Sequence, residues 1–163
     1  MSTVFQYYTH SDSIGFGGEA FERGAPVVRK SDDADKWVIC PSGTKPIGYS
    51  MQDVRDFGET IMLNIYNQEN NTGKAIPAYG MDARRNRNKP FLAAIGDPVT
   101  VAVGSGVIME NVANYLGDVS NNDYLKVGGS GLFVASDAAD GCVRVLRGGS
   151  KAAGETIRVI SLF

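Results

Sequence analysis

The sequence predicts an all-β protein, sandwich or barrel-like, with at most one or two short helices. Three observations predict it. Apolar residues recur with period two in several runs of five to eight residues, as side chains do when a strand turns one face inward. Twenty glycines, with Pro, Asn, Asp and Ser, separate these runs at the spacing of a sandwich or barrel rather than of alternating strands and helices. Segments with helical period are few.

Taken in order, "MSTVFQYYTHSDS" crowds Val4, Phe5, Tyr7 and Tyr8 into a polar, glycine-rich surrounding. Residues 1–23 therefore read as an arm packing on a neighbouring surface, with the β domain spanning 24–163. "GAPVV" and then "KWVI" open the domain. "SMQD" (Ser50 to Asp53) has capping-box spacing, but Gly58 leaves room for little more than one helical turn. In "ETIMLNIY", Ile61, Leu63 and Ile65 alternate with Thr60, Met62, Asn64 and Tyr66. "PVTVAVG" sets Val99, Val101 and Val103 on one face and Thr100 and Ala102 on the other. "IMENVANYLG" fits a short helix closed by Gly117 and fits a strand nearly as well. "CVRVLR" alternates Val143 and Val145 with Arg144. The terminal "TIRVISLF" carries apolar groups on both faces, so it is either central in a sheet or covered by another chain.

Gly-Glu-Thr-Ile occurs twice, at residues 58–61 and 154–157, an offset of 96 residues. At the same offset Trp37-Val38 falls on Phe133-Val134 and Ile47 on Val143. Upstream, "GAPVV" resembles "GDPVT", but the offset there is 72. These echoes predict a duplicated β unit, residues 24–65 and 96–163, each copy burying a sheet face against the other. Glycine supplies the turn, glutamate stays solvated, and Thr-Ile starts the strand.

The residue types that carry chemistry are sparse. A net charge of −2 argues against broad electrostatic binding of nucleic acid. Cys40 and Cys142 are expected as buried free thiols, with a bridge between them as the alternative. The N-terminus lacks a signal-like basic head and apolar segment, and no apolar run is long enough for a membrane helix. A soluble protein used inside a cell, or carried out by something larger, is therefore expected, and the sequon at Asn70 reads as chance. His10, the only histidine, lies in a polar stretch beside Ser11 and Asp12, weak grounds for a triad assembled in space. "IGFGG" and "KVGGSGLF" lack phosphate-loop spacing. Glu59 and Glu155 have no accompanying nucleophile or ligand set. No catalytic, cofactor or metal residue is predicted. The one concentrated charge feature is "MDARRNRNKPF", where Arg84, Arg85, Arg87 and Lys89 form either a solvated loop or a docking loop for an acidic surface. The partner-binding candidates are that loop, the arm residues Phe5, Tyr7 and Tyr8, and the terminal Leu162 and Phe163. Apolar side chains at both ends predict self-association, a trimer ahead of a dimer.

"GAPVV…KWVICPSGTKPIGYSMQDVRDFGETIML" resembles the head decoration (cement) proteins of tailed bacteriophages. The matching residues are Gly24, Val27, Ile47, Gly48, Gly58, Glu59 and Ile61, and "GDPVTV" and "GETIRVISL" are similar in kind. The long middle segment 66–95 and the aromatic N-terminal stretch depart from the family pattern. The resemblance implies a β-rich virion protein made in the host cytoplasm, often trimeric, that binds the major capsid protein outside an icosahedral head and clamps its lattice. It implies no enzyme activity, no cofactor, and neither nucleic acid nor membrane as partner. A virion fibre or receptor-binding module is the second reading, and a small β-barrel hydrolase using His10 or the two glutamates a distant third.

Overall fold

The computed structural model describes residues 3–8, 10–12, 14–56, 62–67, 72–77, 92–147 and 149–163; for residues 62–67, 72–77 and 147 it describes the backbone alone. The described chain is all-β, and a three-residue 3-10 turn at Gly129–Gly131 is its one helical piece. Two six-stranded sheets form the body. The first has β1 (Val4–Tyr7), β12 (Ile108–Val112), β16 (Ile157–Ser161), β15 (Val143–Arg147), β13 (Tyr124–Val127) and β14 (Phe133–Ser136), in that spatial order. The second has β2 (His10–Asp12), β11 (Val101–Val103), β6 (Gly48–Ser50), β4 (Pro26–Lys30), β5 (Asp33–Ile39) and β3 (Phe16–Gly17). A parallel pair, β7 (Asp53–Arg55) with β10 (Leu92–Ala94), and a hairpin, β8 (Met62–Asn67) with β9 (Thr72–Pro77), complete it.

The sheets stack because alternate residues of single strands enter different cores. Tyr49 and Ala102 turn towards the first sheet and join Leu125, Phe133, Val143, Val145 and Val159, all essentially buried. Val27, Trp37, Val99 and Val101 turn the other way, against Phe21, Val54 and Ala93. Val99, Val101 and Val103 do share one side, opposite Ala102, as the alternation predicts. Ala102 is buried as well, because β11 lies between two layers. The second sheet is thus covered on both faces, giving a three-layer, sandwich-like arrangement without a closed barrel.

In β15, Val143 and Val145 are buried and Arg144 is half-buried, following the predicted alternation. Residues 108–112 take the strand reading, not the helical one. They pair with β1 on one side and β16 on the other, and a bulge with Asn111 at φ 56° absorbs the register shift. "SMQD" is a turn between β6 and β7. Ser50 Oγ donates to the Gln52 carbonyl at 2.7 Å, and Met51 N–H bonds the Thr100 carbonyl at 2.9 Å. The terminal strand β16 is central between β12 and β15, which accounts for its two apolar faces without another chain.

The triplets β6-β4-β5 and β15-β13-β14 have the same spatial order and antiparallel pairing throughout. Trp37 on β5 pairs with Arg29 on β4, and Phe133 on β14 pairs with Val127 on β13. "GDPVT" leads instead into β11, the neighbour of β6, so its likeness to "GAPVV" does not mark an equivalent strand. Gly58 to Ile61, the first copy of the Gly-Glu-Thr-Ile echo, lies outside the described residues.

The described part of residues 1–23, read from the sequence as an arm, is strand-forming. β1 edges the first sheet, β2 and β3 edge the second, and Phe21 is buried in the core. Within this segment Phe5 packs on the first core and Phe21 joins the second beside Val54, while Val4, Tyr7, Tyr8, Ile14 and Phe16 stay exposed.

Candidate functional site

The N-terminal strands carry most of the exposed apolar surface. Nine large hydrophobic side chains are exposed among the described residues, and five of them, Val4, Tyr7, Tyr8, Ile14 and Phe16, lie between residues 4 and 16. The register break between Phe5 and Tyr7 separates their side chains, which a regular strand would turn to one face. Phe5 faces inward, edge-on to Tyr8 with ring centroids 6.5 Å apart, and the Arg23 guanidinium lies 5.6 Å from its ring centre. Tyr7 and Tyr8 face out, 56% and 44% exposed. On the solvent side of the sheet, Gln6 Oε1 accepts a 2.8 Å bond from Arg158, whose Nε is 3.3 Å from Glu110.

The fold brings the aromatic strand and the C-terminus to one end of the first sheet. Tyr7 is opposite Ile108, and Ile108 is opposite Ile160, so the ends of β1 and β16 lie at the same level. Leu162 is half-buried, its N–H bonded to the Cys142 carbonyl at 2.9 Å. Phe163 is exposed, with the Lys45 ammonium 4.2 Å from its ring centre. Of the sequence candidates, Tyr7, Tyr8 and Phe163 therefore offer contact surface, whereas Phe5 and Leu162 serve mainly packing. Arg84, Arg85, Arg87 and Lys89 lie outside the described residues.

A cleft that the sequence reading did not find crosses the junction of the two sheets. One lobe, about 260 Å³, has Phe21, Ala25 and Ile39 on its floor and Glu22, Arg55, Asn114 and Ser130 around it. A second lobe, about 430 Å³, shares Glu22, Asn114 and Leu132 and adds Thr3, Arg23 and Asp53. Its charges alternate. Arg55 reaches Glu22 at 3.4 Å, and Asp53 accepts the Arg23 N–H at 2.7 Å. Burial lowers the pKa of the Arg23 guanidinium, and Asp53 opposes that shift. Ser130 holds a left-handed backbone, φ 56°, at the cleft rim. No local signal could have revealed the cleft, since its walls come from six separate segments, from Thr3 to Leu132.

Among the described residues, the enzyme-like candidates lie apart or are engaged structurally. His10 is exposed on β2, while both oxygens of Asp12 are engaged, one by Arg29 at 2.7 Å and one by the Ile14 N–H at 2.8 Å. Glu155 closes a surface turn by accepting the Ala152 N–H at 2.8 Å, and Glu59 lies outside the described residues. Both cysteines are free and buried. Burial pushes the thiols of Cys40 and Cys142 up to about 11. That is the opposite of what activates a nucleophilic thiol.

A scan against protein-family models finds no match for this chain, and a search of curated proteins finds none either.

Proposed function

We propose that this chain is a virion structural protein that binds the outside of an icosahedral capsid and stabilises it, as decoration proteins do. The observation that carries the reading is the concentration of exposed apolar side chains, Val4, Tyr7, Tyr8, Ile14 and Phe16, on and beside the edge strands β1 and β3. Covering such groups contributes roughly 1.5–3 kcal/mol each, and a weak contact repeated over a shell gains further from avidity. The resemblance of the strand-opening segments to head decoration proteins gives the surface its partner, the major capsid protein, and its place, the virion exterior. Several copies associate around such a contact.

The test is co-sedimentation with undecorated heads of the virus that encodes the protein, followed by heating the heads with and without it. Binding with a raised rupture temperature supports the cementing role. Failure to bind, or binding with an unchanged rupture temperature, refutes it. The cleft favours a second reading, a receptor-binding module, because alternating carboxylates and guanidinia around an apolar floor suit a polar surface ligand. Glycan binding that Asn114→Ala abolishes, without a change in head stability, selects that reading.

A further inference from the structure

The pairing registers carry one row of residues across all six strands of the first sheet: Tyr7, Ile108, Ile160, Arg144, Tyr124 and Ser136, each directly opposite the next. Residues directly opposite share a face of the sheet. This face is the outer one, because the chain neighbours Met109, Leu125, Val143, Val145 and Val159 are turned into the core. At the usual spacing of about 4.8 Å between strands, the row is roughly 24 Å long. Its residues are half-buried, except Tyr7, which is exposed.

The row changes character along its length. Tyr7, Ile108 and Ile160 make one apolar half. The other half offers hydrogen-bond donors. Arg144 Nε and Ser136 Oγ, on either side of Tyr124, are shut off from solvent and have no hydrogen-bond partner among the described residues. Lys126, two residues along β13 from Tyr124 and so on the same face, makes no hydrogen bond or ion pair among them either. Two acids beside the face are already engaged. Glu110 pairs with Arg158 at 3.3 Å, and Asp137 accepts the Ala139 and Asp140 N–H groups at 3.1 and 3.0 Å. A buried polar group left unpaired is costly, so a fold that keeps two in one row calls for a ligand to meet them.

We propose that this outer face docks an acidic segment of a partner protein, with a carboxylate received by Arg144 and apolar side chains laid on Tyr7, Ile108 and Ile160. The planar guanidinium matches a carboxylate bidentately, and Lys126 adds charge of the same sign. The apolar half suits protein side chains, whereas a phosphate backbone would leave it uncovered. The inference deepens the proposed function and rests on that reading for the partner: the capsid patch contacted is one where carboxylates adjoin apolar side chains.

Two measurements keep the inference separable from that reading. The first uses no heads. Titrating the full chain into a labelled random copolymer of glutamate and tyrosine should show binding by fluorescence anisotropy. Arg144→Glu and Lys126→Glu should each raise the dissociation constant about tenfold or more. Arg144→Lys, which keeps the charge, should lose less, and Lys36→Glu, the same charge change on β5 of the second sheet, should lose nothing. Thermal melting of each variant checks that the sandwich is intact. In the second measurement, the same variants should weaken co-sedimentation with undecorated heads in the same order. No binding of the copolymer, or equal losses from Arg144→Glu and Lys36→Glu, overturns the proposal. Duplex DNA that displaces the copolymer at equal charge concentration overturns it in favour of a phosphate ligand. Heads bound equally by the wild type and Arg144→Glu overturn it while leaving the proposed function standing. Heads that the wild type does not bind refute that function, and the copolymer titration still decides the docking chemistry.

Discussion

The Arg29 guanidinium stacks on Trp37, its central carbon 3.6 Å from the ring centre, and the two residues are cross-strand partners on β4 and β5. Arg29 also holds Asp12 at 2.7 Å, so one side chain ties β4 to the ring of β5 and to the edge strand β2. Replacing Arg29 with Met keeps much of the packing but loses both interactions. The expected cost is roughly 1–2 kcal/mol, read as a lower midpoint in chemical denaturation. An unchanged midpoint would show that the stack is incidental.

Gly15 lies against this pair with φ 147°, a conformation L side chains rarely adopt. A Cβ there would sit 2.3 Å from Arg29 Nη1 and 2.7 Å from Trp37 Nε1. Gly15→Ala therefore combines backbone strain with a clash, and a loss of roughly 2–3 kcal/mol is expected. Quenching or shift of tryptophan fluorescence reports the disturbance directly, since Trp37 is the only tryptophan.

Gly48 is limited by space. On the central strand β6, a Cβ would meet the Ala102 carbonyl oxygen at 2.5 Å and Val101 Cγ1 at 2.6 Å. Gly48→Ala must push β11 away and should cost roughly 1–3 kcal/mol. Thermal melting that matches wild type would contradict that packing.

Tyr49 donates its hydroxyl to the Cys142 carbonyl at 3.3 Å within the first core. That carbonyl also accepts the Leu162 N–H, so Tyr49→Phe leaves no orphaned acceptor. The variant should lose about 1 kcal/mol or less, well below the cost of a stranded buried polar group.

The buried thiols and Tyr49 make the fold sensitive to alkali. Cys40 and Cys142 ordinarily ionise near 9.0 but are held protonated to about 11 by burial, and the Tyr49 phenol is also pushed up by burial. The folded state binds these protons more tightly than the unfolded one. Their contribution is complete below about pH 9 and declines as pH rises towards and through about 11. Denaturation midpoints should fall across that window, and the fall should flatten in Cys40→Ala/Cys142→Ala. A midpoint constant to pH 11 would disprove the linkage.

Period and punctuation were enough to read the all-β class, the inward Val143 and Val145 around Arg144, and the common side of Val99, Val101 and Val103. Such features depend on a residue's immediate neighbours, because a strand alternates its faces wherever it is placed. Pairing and cover are decided over long range, and there local sequence was silent or ambiguous. Residues 108–112 could coil or extend until β1 and β16 claimed both sides of them. The aromatic N-terminal stretch read as an arm because nothing in it names Met109 or Val101 as its partners, about a hundred residues away. The cleft had no local signature for the same reason, since Glu22, Asp53 and Asn114 meet only when the sheets stack. Short-range alternation determined which side chains are turned inward, and the closing of distant strands decided which surfaces were left open.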